Sequence, residues 1–210
     1  RARSVTDAFL AVLRSRPTLG YTIAGGVVLG ALMGYIASAQ QVYVEVYRLG
    51  AWFPLMFGAI ALAQSAASFA NSRLVMRLGM RRLSHIALAG FTATSAVHLV
   101  LVLAFGTLPL ALFAGLLAST FFCFGFVMPN FNALAMEPMG RIAGTASSFV
   151  GATTTGLAAT LGWAVGQHFA GTTVPLLAGF ALYGAVALAV VALTERGRLF
   201  SEREALVRGG

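Results

Sequence analysis

The sequence predicts an all-α membrane protein in which six transmembrane helices form a bundle. Three observations support this prediction: the composition, the lengths of the apolar runs and the placement of the arginines. Of the 210 residues, 59% are hydrophobic and only 10% are charged, whereas soluble domains carry about 25% charged residues. A mean hydropathy of +0.86 also excludes an ordinary soluble domain.

The apolar runs divide the chain into six segments separated by short polar stretches. Each run is close to the length of about 20 residues that an α-helix needs to cross the hydrocarbon core of a bilayer. We expect transmembrane helices at residues 18–38, 50–70, 84–104, 108–128, 143–166 and 174–194.

The basic residues predict how these helices are oriented. All 14 are arginines, and if six helices alternate across the membrane, only Arg48 lies apart from the others. Basic residues concentrate in short cytoplasmic loops, so we expect both termini in the cytoplasm. This placement indicates a lipid bilayer, and not nucleic acid, as the partner of a chain with net charge +8.

The predicted bundle has a segment on either side. In residues 1–16 the arginines avoid one apolar helical face, and Ser4 with Asp7 resembles a capping box. We interpret this segment as a cytoplasmic linker helix that lies on the membrane surface or packs on another domain. Residues 17–195 form the bundle, and residues 196–210 form a cytoplasmic tail.

The first span combines a stripe of glycines with a polar end. Glycine recurs at every fourth position, at Gly26, Gly30 and Gly34. Such a stripe lets a neighbouring helix approach closely. Polar side chains follow near the same face, at Tyr35, Ser38 and Gln41. They either line a water-filled cavity or meet the membrane interface.

The loop after the second span, NSRLVMRLGMRRL at residues 71–83, combines a tight turn with clustered arginines. Gly79 permits the turn. Arg77, Arg81 and Arg82 can bond the last carbonyls of the second span and pair with acidic groups. The alternative is that they only mark the cytoplasmic side.

The junction after the fourth span, VMPNFNALAMEPMGRIAGTASS at residues 127–148, interrupts the apolar pattern. Pro129 removes a backbone donor and can kink the helix. Asn130 and Asn132 can bond the freed backbone groups or reach another helix. We interpret the stretch as a bendable, closely packed gate; the alternative is an ordinary helix end.

Several chemical features are missing from the sequence. No Asp, Glu or Arg interrupts the six apolar runs, although embedded ionisable residues are the usual proton carriers. The nearest candidates are His98, interpreted as packed or interfacial, and Glu45, interpreted as a surface partner of Arg48. The single Cys123 reads as a packed thiol. Without enzyme, metal or cofactor motifs, we expect no enzymatic activity and no cofactor.

The loop and the junction together resemble the major facilitator superfamily, in particular its Bcr/CflA drug-resistance group. The loop matches the superfamily motif at Leu74, Arg77, Gly79, Arg81 and Arg82, and departs from it at Ser72 and Met76. The junction, with PNFNALAME and AGTASS, and the stretch GYIASAQQVYVEVYRLG also resemble that group. The resemblance covers nearly the whole chain and implies the C-terminal six-helix half of such a transporter.

The resemblance also implies a function. It predicts proton-coupled efflux of small amphiphilic compounds across the bacterial inner membrane, with an N-terminal half or a second copy as partner. The expected substrate-binding residues are Tyr35, Ser38, Gln41, Phe122, Phe126 and Asn130. Phe122 and Phe126 can instead face lipid or pack. The alternatives are a sugar or metabolite carrier of the same fold, or a non-transporting scaffold module.

Overall fold

A computed structural model describes residues 9–200, and within them every regular element is helical. The long α-helices, which we number α1 to α6, are Arg16–Gln40, Phe53–Leu78, Met80–Phe105, Leu110–Met136, Ala143–Gln167 and Val174–Thr194. Short helical segments occupy Gln41–Val46 (a π-helix), Gly50–Trp52 and Glu137–Ile142 (both 3₁₀). The predicted all-α membrane architecture is confirmed.

Local chemistry accounts for the starts of three of the long helices. Ser15 caps α1, where its hydroxyl accepts the Thr18 N–H at 3.4 Å. Prolines stand in the first turns of α1, α2 and α6, where no backbone donor is missed. Both α2 and α4 continue past the predicted ends of their spans, because hydropathy marks the hydrocarbon-facing part of a helix and not its last turn.

Five of the six helical segments are both long and apolar enough to cross a membrane. The exception is α5, which has 25 residues and no charged side chain but is rich in Gly, Thr and Ser. These small and hydroxylated residues lower its hydropathy while keeping its length. The span predicted at residues 143–166 therefore forms a long helix that is less apolar than the other five.

The packing places α1 at the centre of the bundle. It contacts α4, α5 and α6, while α4 in turn packs on α2 and α3. Large aromatic side chains fill the interior, among them Tyr21, Phe121, Phe131 and Phe180. Helices α2 and α5 lie at the two edges and keep most of their surfaces open.

The described part of the linker segment, residues 9–14, packs on the beginning of α5. Val12 is fully buried against Met139 and Ala146, and the ring of Phe9 meets Phe149 edge-on at 5.2 Å. This part therefore contacts the bundle itself. The proposed cap at Ser4 and Asp7 lies outside the described residues.

Candidate functional site

One end of the bundle carries the α2–α3 turn, and we call it the arginine-rich end. Ion pairs there join the ends of three helices. The Arg81 guanidinium lies 2.8 Å from the Glu137 carboxylate and 3.2 Å from that of Glu195. Arg81 belongs to α3, Glu137 begins the 3₁₀ turn after α4, and Glu195 follows α6. Arg81 thus clamps these elements together.

A chain of hydrogen bonds extends this clamp to α1 and to the segment after α6. The Tyr21 hydroxyl donates to Glu195 at 2.7 Å and lies 2.9 Å from Nε2 of His85. The Phe200 N–H donates to Nδ1 of His85 at 3.2 Å. Because Nδ1 accepts this bond, a neutral His85 carries its proton on Nε2. This N–H donates a hydrogen bond to the Tyr21 hydroxyl.

The network also sets the charge state of Glu195. Burial alone would raise the pKa of its carboxyl. The hydrogen bonds from Tyr21 and Arg81, together with the positive charge of Arg81, outweigh that effect and lower the pKa below its ordinary value. Glu195 is therefore ionised at neutral pH, as the pairing with Arg81 requires.

The other predicted loop residues have different surroundings. Gly79 has φ 73° and ψ 155°, a backbone conformation essentially reserved for glycine, and a side chain there would meet no neighbour within 4 Å. The α2–α3 turn thus needs glycine for its backbone and not for space. Arg77 and Arg82 are exposed, whereas Arg81 forms the ion pairs with Glu137 and Glu195. The expected pair between Glu45 and Arg48 does not form.

At the opposite end, Tyr35 and Ser38 are buried in the isolated bundle. The Tyr35 ring stacks on Phe57 at 5.4 Å, and its hydroxyl lies 3.4 Å from that of Tyr43. Gln41 begins the π-helix, and its buried side-chain oxygen has no partner within residues 9–200. These predicted contacts therefore lie within the packing where α1 becomes irregular.

Phe122 occupies a different surface. It is 41% exposed and lines an open, mainly apolar groove of about 380 Å³ together with Ala63 of α2, Thr94 of α3 and Ser119. Phe126, packed edge-on against Phe122 at 5.3 Å, is nearly buried. The six predicted substrate contacts therefore do not converge on one pocket within this bundle.

Asn130 ties α4 to α2 beside the proline. Its side-chain amide donates to Asn71 at 2.6 Å and to the carbonyl of Phe126 at 2.7 Å. Pro129 cannot donate to the carbonyl four residues earlier, that of Gly125. The hydroxyl of Ser68, 3.3 Å away on α2, bonds that carbonyl instead. Of the two roles expected for Asn130, it has the bond to another helix, while Ser68 bonds the freed carbonyl.

The glycine stripe of α1 faces α5. A side chain at Gly26 would lie 3.0 Å from Leu157, one at Gly30 would lie 2.8 Å from Leu161, and one at Gly34 would lie 3.1 Å from Val165. These short distances mean that the α1–α5 contact leaves no room for larger residues.

Several residues of the network carry no signal in the sequence. Tyr21, His85 and Glu195 stand far apart along the chain, and their spacing follows no motif. Glu137 and Glu195 are two of only six acidic residues in the chain, and this scarcity beside many arginines is the one available hint. No cluster of three or more potential metal ligands occurs within residues 9–200.

Comparison with known proteins gives two curated relatives. The chain is 28% identical over 200 residues to a bicyclomycin resistance protein homolog of Haemophilus influenzae, a match that covers 91% of the chain and 48% of that protein. It is also 28% identical over 141 residues to YdgK of Bacillus subtilis, described as an uncharacterized MFS-type transporter; this match covers 67% of the chain and 35% of that protein. No known family profile matches the chain, and no solved structure does.

These similarities confirm the resemblance to Bcr/CflA-type transporters of the major facilitator superfamily. The chain spans about half the length of the Haemophilus relative, and the part of it that matches YdgK covers about a third of that protein. The matches therefore correspond to one part of a larger transporter.

Proposed function

We propose that this chain is one of two helical bundles of a transporter that exports small amphiphilic compounds across the bacterial inner membrane. The observation that carries the proposal is the match of 91% of the chain to 48% of a resistance protein homolog. A bundle of that relative size suits alternating access, in which two bundles rock against each other around a central site.

The network around Arg81 gives this bundle a defined role at its arginine-rich end. It ties the ends of α1, α3, α4 and α6 into one body, so these helices move together when the bundle rocks. The tight turn at Gly79 joins α2 to that body. We assign this end to the cytoplasm, because basic residues concentrate there. In this proposal the ion pairs of Arg81 help to close the cytoplasmic gate.

The substrate site is completed by the second bundle. Helices α2 and α5 leave most of their surface open, and α5 exposes small residues that permit a close helix contact. Tyr35, Ser38 and Gln41 reach this site when the π-helix Gln41–Val46 rearranges, since such irregular turns often mark functional positions. Phe122, Phe126 and Asn130 supply the aromatic and polar contacts from α4.

Protons entering the cell drive export in this proposal. No acidic residue lies within the predicted apolar runs, so the partner bundle supplies the proton carrier. The partner is an N-terminal six-helix half or a second copy of this chain.

The proposal is tested by dye export from reconstituted vesicles. The two-bundle transporter is placed in liposomes with a fluorescent amphiphilic cation at equal concentration inside and outside, and a pH gradient is then imposed. We expect dye to leave against its concentration gradient, and a protonophore to stop it. Export that persists unchanged after the pH gradient is collapsed would contradict proton coupling, and transport of sugars but not of dyes would favour the carrier alternative.

A further inference from the structure

A polar spot lies buried between α3 and α4 in the half of the bundle away from the arginine-rich end. His98 is 0% exposed, and its ring packs against the ring of Phe113 with centroids 5.0 Å apart. Neither ring nitrogen has a hydrogen-bond partner within residues 9–200. Ser95, one helical turn earlier on α3, is equally buried, and its hydroxyl also lacks a partner there.

A dry site of this kind is unfavourable. A neutral imidazole always carries at least one N–H, and in a membrane interior an unpaired polar group costs a large part of a hydrogen bond. Ionisation gives no relief, because no carboxylate within residues 9–200 pairs with His98. Glu137 and Glu195 are bound to Arg81 at the other end, and Glu45 is exposed.

Three other hydroxyl-bearing side chains of α3 have a hydrogen-bond partner, and Ser95 differs from them. Ser84, Thr92 and Thr94 each donate to the backbone carbonyl four residues earlier. This local bond satisfies a hydroxyl within its own helix. Ser95 makes no such bond, so its hydroxyl is free to serve a partner outside the helix.

We propose that Ser95 and His98 bind a buried water molecule between α3 and α4. Residues three apart on a helix are neighbours on its surface, with Cβ atoms about 5–6 Å from each other, so one water can reach both the Ser95 hydroxyl and a His98 ring nitrogen with hydrogen bonds of about 2.8 Å. Buried waters are held by about two to four polar groups. The ring of Phe113 closes the site on the α4 side.

This site is independent of the transport proposal. It requires only the contact between α3 and α4, and it holds whether the protein exports drugs, carries sugars or transports nothing. The water gives His98 a partner while the imidazole stays neutral.

Nuclear magnetic resonance tests the site directly. The protein has three histidines, so with ¹⁵N-labelled histidine each ring signal is assigned by single replacement. We expect a ring N–H of His98 to show magnetisation transfer with a slowly exchanging water, and Ser95→Ala to remove it. Absence of any water contact at His98 in the unaltered protein would overturn the proposal.

Thermal stability tests it a second way. A hydrated His98 contributes hydrogen bonds, so His98→Phe should lower the melting temperature, by about 2–4 °C if one net hydrogen bond is lost. If the site is dry, His98→Phe removes an unpaired polar group and should raise the melting temperature. Ser95→Ala should be less costly in the His98→Phe background than alone. Ser84→Ala, the control on the same helix, should lower the melting temperature equally with and without His98→Phe. If His98→Phe raises the melting temperature, the result contradicts the proposed water.

Discussion

Arg81 is the residue on which the arginine-rich end depends. Its side chain is only 13% exposed and bonds two carboxylates that belong to different elements. Arg82, its neighbour along the chain, is exposed and has no such bond. Two adjacent arginines therefore differ in their contacts although both carry the same charge.

Arg81→Ala should destabilise the purified bundle by about 1–3 kcal/mol, because it leaves Glu195 partly buried without its positive partner. Arg82→Ala should change stability by less than about 0.5 kcal/mol. Thermal unfolding in detergent compares the two. Equal effects would show that these arginines act only as topology signals.

The lowered pKa of Glu195 predicts a pH dependence. A carboxyl whose pKa is lower in the folded state stabilises the fold above its unfolded pKa, and that contribution disappears as the pH falls through the folded pKa. The melting temperature should therefore fall as the pH drops below about 4. Glu195→Gln should lower it at pH 7 and flatten this part of the profile. An unchanged profile would remove Glu195 from the network.

For individual residues, the sequence predicts one partner of the ion pairs but not the other. The arginines of the loop were expected to pair with acidic groups, and Arg81 does. Its partner Glu195 stands 114 residues away, and Tyr21 and His85 look like any packed aromatic residue. Helix packing brings these side chains together, and this packing cannot be predicted from a single sequence.

Among the elements, the pair α1 and α5 is the most closely fitted. The glycines of α1 admit Leu157, Leu161 and Val165 of α5. Close contact was predictable from the four-residue glycine period. The identity of the facing helix was not, because the same period would fit any neighbour.

Gly30→Leu should destabilise the bundle by about 1–3 kcal/mol or more, because its side chain would overlap Leu161. Gly115→Leu is the matched control, since a side chain there meets nothing within 4 Å. Unfolding of both variants in detergent is compared at equal expression. If Gly30→Leu is as stable as the control, α1 and α5 are not in contact.

The contact between α2 and α4 shows how a helix-breaking residue is accommodated. Pro129 was predicted to free a backbone group, and it does so at Gly125. The hydroxyl that satisfies it comes from Ser68, which nothing in the local sequence distinguishes from other small residues of α2.

For the whole molecule, the arginine asymmetry predicts which loops share a side. In a background with Cys123 replaced, single cysteines at positions 77 and 48 should react with a membrane-impermeant reagent from opposite sides. Position 48 should react in intact cells, and position 77 only in inverted vesicles. Reaction of both from one side would contradict the six-helix topology, including the crossing by α5.

The helix number and the class of protein could be predicted because bilayer thickness and backbone hydrogen bonding leave few choices. The proposed substrate contacts stay a prediction. Tyr35 and Ser38 are buried at one end, while Phe122 lies in a groove between α2, α3 and α4. If the site is shared by two bundles, as we propose, one bundle encodes only part of it.

We propose that this bundle transports only together with a second bundle. The most direct measurement is pH-driven dye export by the purified chain in liposomes, alone and after co-expression with a matching N-terminal six-helix half. We expect no export by the chain as a monomer and restored export with the partner; export by a dimer alone would identify a second copy as the partner. Robust export by a preparation shown to be monomeric would contradict it.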